Sequence, residues 1–239
     1  MLDKTKDPMG AAIVDYWKNG AAERLRVFSP GFDEDEMPVE VLFREFNKMP
    51  EIEKMALHMA NGRILDVGAG SGCHSLALQD MGKKVKAIDI SGLSVETMKE
   101  RGVTDAVLQN FYEIKDETFD TILMLMNGAG VIGCVDNMPS FFSYLKTILS
   151  PQGQVLMDSL DLRYIFEDED GALEIDLTNG YYGEVEYQLQ YKNIIGERFP
   201  WLYIDFSTLQ YYAEEAGFKA ELILEGEHYD YLAKLYVES

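Results

Sequence analysis

Cysteine is nearly absent: only Cys73 and Cys134 occur in 239 residues. Two thiols so far apart build no disulfide framework, and with three histidines they match no metal-ligand spacing. Basic residues are also scarce, 21 Lys+Arg against 42 Asp+Glu, for a net charge of −21. That field repels phosphate backbones and anionic headgroups, so neither nucleic acid nor a membrane surface is expected as a partner. No apolar run approaches the ~20 residues of a bilayer span. The opening "MLDKTKDPMG" lacks the basic-then-apolar pattern of a leader. A reduced cytoplasm is the expected compartment.

What is present suffices for a core, since 47% of residues are hydrophobic. The acidic runs "DEDE" (33–36) and "EDED" (167–170) read as solvated loops. Residues 1–60 read as helical, with breaks at "SPGF" and Pro50, and form an expected N-terminal helical cap. From Arg63 the pattern alternates. Strands are expected at "RILDVG", "KVKAIDI", "DAVLQN", "FDTILMLMN" and "GQVLMDS", with helices at Ser75–Met81, Ser94–Arg101 and Ser140–Leu149. Apolar strands alternating with helices imply a parallel sheet covered on both faces. After Asp158 the rhythm breaks. "GEVEYQLQYK" alternates strictly and pairs with "RFPWLYIDF" across a "NIIGE" turn, predicting an antiparallel hairpin. "STLQYYAEEAGF" predicts a helix capped by Ser or Thr, and "KAELILEG" and "YDYLAKLYVE" predict two closing strands.

In "LDVGAGSGCHS" the first strand runs into Gly68, Gly70 and Gly72 and then a helix. Glycines at such a turn let backbone approach a ligand, and a helix N-terminus favours a negative group. Dinucleotides and S-adenosylmethionine are both bound at such turns. The dinucleotide fingerprint G-x-G-x-x-G fails here, because Cys73 or Ser75 stands where its last small residue belongs. A nicotinamide oxidoreductase is therefore the weaker reading.

Four features in order resemble the class I S-adenosylmethionine-dependent methyltransferases of small-molecule type. They are "LDVGAGSG", the acidic end of the second strand at Asp89, the end of the third strand at Asn110, and the fourth strand "FDTILMLMN". The likeness covers residues 60–160 closely and the last forty or so more loosely. It implies a Rossmann-like, mostly parallel seven-stranded sheet with helices on both faces and an antiparallel last strand. A methyltransferase domain would span 61–239, with the inserted hairpin at about 160–206. The implied cofactor is S-adenosyl-L-methionine. Its implied contacts are Asp66, Gly68, Ala69, Gly70, Gly72 and His74 around the first turn; Asp89, for both ribose hydroxyls, with Ile90; Asn110 and Phe111 beside the adenine; and Met126 and Asn127 beside the methionine part. The family commonly has aspartate where Asn110 stands, and that departure keeps open a methyltransferase-like binding or regulatory protein without turnover.

The acceptor is expected to be a small molecule methylated at nitrogen or oxygen. "NGAG" (127–130) lacks the Pro-Pro motif of adenine and glutamine N-methylating enzymes, and Cys134 lacks the Pro-Cys setting of cytosine-C methylation. Asp158 and Asp161 sit where catechol-type enzymes hold magnesium, but no third ligand follows, so no metal is expected. Tyr16, Trp17, Tyr181 and Tyr182 are the candidate substrate walls, able to supply aromatic faces and hydroxyl donors. His58 and His228 are expected to pack and to face solvent, respectively. No catalytic base or oligomeric state is assigned.

Overall fold

The computed structural model describes residues 1–166 and 180–238, and the "EDED" run at 167–170 lies outside them. Asp7 starts the first helix, α1 (Pro8–Asn19), by accepting the Gly10 N–H at 2.8 Å, with Pro8 at the first helical position. Gly20, at φ +70°, ends it. Beyond Gly20 the expected helix gives way to β1 (Leu25–Phe28) and β2 (Asp35–Met37), which pair antiparallel. This corrects the all-helical reading of residues 1–60. It also corrects the first acidic run in part: Asp35 and Glu36 are strand, while Asp33 and Glu34 remain outside it, and Glu34 and Glu36 accept from Arg26 and Arg24 at 2.7 and 2.5 Å. A second helix, α2 (Glu51–Met59), completes this region.

The alternating segment folds as the periodicity predicts. Its elements are β3 (Arg63–Val67), α3 (Cys73–Asp80), β4 (Lys84–Asp89), α4 (Gly92–Arg101), β5 (Ala106–Leu108), β6 (Phe119–Met124), α5 (Met138–Ile148) and β7 (Leu149–Leu160). The inserted strands β8 (Glu184–Tyr191), β9 (Ile194–Ile195) and β10 (Phe199–Leu202) come next, followed by α6 (Phe206–Glu215), β11 (Lys219–Glu225) and β12 (Asp230–Tyr236). Asp205, not Ser207 or Thr208, caps α6 by accepting the Thr208 N–H at 3.0 Å.

Seven strands form one sheet in the order β11-β12-β7-β6-β3-β4-β5, with only β12 running antiparallel to its neighbours. Period-two alternation divides its core. Leu65, Ile122, Met124, Val155 and Met157 pack under α5 and α6, while Ile64, Leu123 and Leu156 pack under α2 and α3. β8 pairs with β1, β9 and β10, so the N-terminal strands and the insertion make a second, antiparallel sheet.

The second sheet and α1, which packs on β8, meet the first sheet at two places on the carboxyl edge of the parallel strands. On one side Asp7 accepts from Ser91 Oγ, just past β4, at 2.5 Å, and Leu2 N–H donates to the Ile90 carbonyl at 3.0 Å. On the other, Asn127, just past β6, donates its side-chain amide to the Leu202 carbonyl at 3.3 Å. In sheet order β3 lies between β6 and β4. Together, α1 and the second sheet thus form a bridge anchored on either side of the glycine turn that follows β3. Among the described residues no helix is long and apolar enough to cross a membrane.

Candidate functional site

Gly68, Gly70 and Gly72 all adopt left-handed backbone, at φ +67°, +57° and +85°. They serve two different purposes. A Cβ built at Gly68 meets nothing within 4 Å, and one at Gly70 meets only the Gly68 carbonyl at 4.0 Å. A Cβ at Gly72 would lie 2.8 Å from Val103 Cγ2 and 3.0 Å from Met98 Cγ. Gly68 and Gly70 thus leave a cradle open on the carboxyl edge, while Gly72 lets α3 and α4 close together. Ala69 is buried, and its N–H donates to the Ile88 carbonyl at 3.0 Å, which ties the turn to β4.

Asp89 ends β4 beside this cradle. Its Oδ2 accepts the Gly70 N–H at 2.9 Å and its Oδ1 the Ser91 N–H at 2.8 Å, leaving further lone pairs on each oxygen. Burial pushes its pKa up to about 6 against these two donors, and the Asp7 and Asp66 carboxylates add to the rise. Ile90 follows Asp89 and Leu108 pairs with it across β4 and β5, and both are exposed, as is Tyr112 just beyond Asn110. Asn110 Oδ1 accepts the Tyr112 N–H at 3.0 Å and retains a second lone pair. Sequence reasoning missed Leu108 and Tyr112, since both read as ordinary strand and loop residues.

Asp66 is buried, with Ser75 Oγ donating to it at 2.6 Å, and desolvation raises its pKa. Asp158, at the end of β7, is pushed by burial up to about 6. Three carboxyls whose ionised forms lack solvent thus sit near the strand ends.

The remaining candidates divide. Met126 and Asn127 form a turn past β6, each with positive φ. Phe111 lies at the expected position, but its ring enters the core against Tyr144 and Phe141, leaving only its backbone toward the edge. His74 is buried, and its Nε2 is engaged with Glu53 Oε2 at 2.8 Å; Glu53 is also bound by Arg44. Burial works against the charged imidazole, yet the Glu53 hydrogen bond and the Asp66 charge carry its pKa above the usual value. The ring is thus committed to joining α2 to α3. His58 packs edge-on against Phe46 at 5.3 Å, and His228 is exposed.

Of the substrate candidates, Tyr16 packs on Phe43 at 4.6 Å, and Trp17 donates its indole N–H to Glu100 at 2.9 Å. Tyr181 donates to Asp205 and Tyr182 to Asp161, both at 2.7 Å. The two pairs engage different elements. Tyr187 and Tyr203, not singled out from the sequence, share a hydroxyl contact of 2.9 Å in the second sheet. Burial raises the pKa of Tyr181, Tyr182 and Tyr203, so their hydroxyls stay protonated near neutrality. Among the described residues no three His, Cys, Asp or Glu gather as a metal-binding group.

A methyltransferase domain family model matches residues 65–157. A crystal structure of a SAM-dependent methyltransferase from Bacteroides fragilis in complex with S-adenosyl-L-homocysteine is 60% identical. It covers 100% of this chain and 98% of its own, at a TM-score of 0.94. More distant folds include PH0226 protein from Pyrococcus horikoshii OT3, 18% identical over 78% of this chain and 88% of its own, at a TM-score of 0.57. The sugar N-methyltransferase KedS8 from Streptoalloteichus sp ATCC 53650 is 11% identical over 89% and 97%, at 0.56. No curated protein sequence matches.

Proposed function

Since this chain belongs to the class I S-adenosylmethionine-dependent methyltransferases, we propose that it methylates nitrogen or oxygen of a small acceptor enclosed beneath the second sheet. The observation that carries this reading is the bridge itself. With α1 anchored past β4 at Ser91 and the second sheet past β6 at Asn127, the two flank the glycine turn, an arrangement that favours a small acceptor over a macromolecule. The charge of −21 supports the same reading against nucleic acid.

The residues present fit the cofactor. Gly68 and Gly70 leave the cradle that a Cβ would fill. Asp89 offers carboxylate lone pairs to the ribose hydroxyls, Ile90, Leu108 and Tyr112 give the adenine an apolar face, and Asn110 retains an acceptor for its amino group. Ala69 contributes backbone, as does Phe111. Bound there, S-adenosylmethionine would supply an electrophilic methyl on a sulfonium, its sulfur leaving as S-adenosylhomocysteine when the acceptor takes the methyl in line. The protein's part is alignment and exclusion of water. The Tyr181 and Tyr182 hydroxyls, held protonated and donating to Asp205 and Asp161, keep lone pairs that accept a hydrogen bond from the acceptor and orient it; they do not act as bases. A neutral amine needs no base before transfer, whereas a hydroxyl acceptor does.

The test is incubation with methyl-labelled S-adenosylmethionine and separate panels of small amines, small alcohols, RNA and protein. Label should appear only in a low-molecular-weight product. Transfer to RNA or protein instead would refute the small-acceptor reading.

A further inference from the structure

Met126 and Asn127 are consecutive non-glycine residues in left-handed backbone, at φ +64° and +59°. Each such position costs free energy and persists only where its surroundings over-determine it. Here the surroundings are a buried carboxylate on the neighbouring strand. Asp158 Oδ2 accepts the Met126 N–H at 3.0 Å, and Oδ1 accepts the Gly128 N–H at 2.9 Å. Between them, Asn127 accepts from Ser159 Oγ at 3.0 Å and donates to the Leu202 carbonyl at 3.3 Å. The turn is held from both β7 and the second sheet.

We propose that Asp158 is a positioning residue for the donor end of the cofactor, pinning the Met126–Gly128 turn in the shape that walls the aminoacyl arm of S-adenosylmethionine. The proposal rests on the cofactor cleft described above. Sheet order places Asp89 and Asn110 on one side of the glycine turn and residues 126–128 on the other. A nucleoside lying over the ends of β4 and β5 therefore extends its arm past Gly68 and Gly70 toward β6. Both Asp158 oxygens hold backbone N–H groups of the turn, and Asp158 is buried where Asp89 is half-exposed, so the carboxylate acts through the turn. None of this is legible in "LMDSL", where Asp158 reads as a strand-end acid.

The test compares two ligands that share a nucleoside. S-adenosylhomocysteine carries the aminoacyl arm and 5′-methylthioadenosine does not. In Asp158→Asn, a near-isostere, one carbonyl oxygen must serve two N–H donors. Calorimetry on the folded variant should show S-adenosylhomocysteine weakened about tenfold or more, the worth of one charge-assisted hydrogen bond, and methylthioadenosine within about twofold of wild type. Equal loss of both ligands would make Asp158 a general structural residue and overturn the proposal. Unchanged affinity for both would overturn it equally. A wild-type protein that bound neither ligand would instead remove the cleft reading. Should Asp158→Asn not fold, Ser159→Ala takes its place. It deletes the hydroxyl bonded to Asn127 and should produce the same selective loss, about threefold; no selectivity there would overturn the proposal.

Discussion

Substituting Gly70 and Gly72 separately tests whether the turn is open for a ligand or merely tight. At Gly70 the protein has room for a side chain, so the free Gly70→Val protein bears mainly the left-handed backbone cost, about 1–2 kcal/mol. For a chain of this size that lowers the melting temperature by roughly 2–8 °C. At Gly72 the same backbone cost is joined by overpacking against Val103 and Met98, adding about 1–3 kcal/mol. Gly72→Ala should therefore be the less stable variant, by urea unfolding. Binding should rank the other way. Calorimetry should find no S-adenosylhomocysteine binding to folded Gly70→Val, because the branched side chain fills the cradle. Folded Gly72→Ala should bind within about threefold of wild type, under 1 kcal/mol. Gly70→Asn separates strain from occlusion, since asparagine tolerates left-handed backbone but still projects a side chain; it too should fail to bind. Val103→Ala in the Gly72→Ala background should recover part of the lost stability. Wild-type affinity in a folded Gly70→Val protein would refute the assignment of the cradle to the cofactor.

On the proposed cofactor placement ribose hydroxyls donate to ionised Asp89, so S-adenosylhomocysteine affinity should be flat above about pH 7 and fall about tenfold by pH 5 for a pKa near 6. Asp158 titrates in the same range; Asp89→Asn should weaken binding at pH 7.5 and flatten the profile, and an unflattened profile would move the effect to Asp158. His74 has a raised folded pKa, so its pairing with Glu53 stabilises fully below the unfolded value near 6.5 and is lost as pH rises through the folded one. Urea unfolding should show that decline in wild type and lose it in Glu53→Gln, which also strands Arg44 and His74 at a cost of about 3–5 kcal/mol. Phe141, fully buried under the sheet, should cost about 3–5 kcal/mol on replacement by alanine while the folded variant keeps its cofactor affinity; selective loss of affinity would place it closer to the site than the core packing does.

The sequence by itself determined the alternating elements from Arg63 onward and the glycine turn. Strands flanked by helices on both faces carry continuous apolar runs, helices carry a 3.6-residue stripe, and both periods lie within a few residues of chain. A departure as small as the α6 cap also has a local cause, since Asp205 competes with Ser207 and Thr208 for the same turn and its carboxylate wins. Asp7-Pro8 was a legible helix start that the sequence reading passed over.

Tertiary structure decided whatever depends on a partner distant in sequence. β1 and β2 are too short to declare themselves; β8, far along the chain, pairs with β1, and β1 in turn pairs with β2. The bridge flanking the glycine turn combines that pairing with α1, held at Ser91 through Asp7, and the Asn127–Leu202 contact. His74 and Phe111 occupy the sequence positions expected of them, but packing against α2 and α5 turned one ring to Glu53 and the other into the core. Asp158 gained its role only when β7 lay down beside β6 and set its carboxylate against the Met126 and Gly128 amides. Local periodicity encodes which face a side chain takes, whereas what it meets there is fixed by elements brought together only on folding.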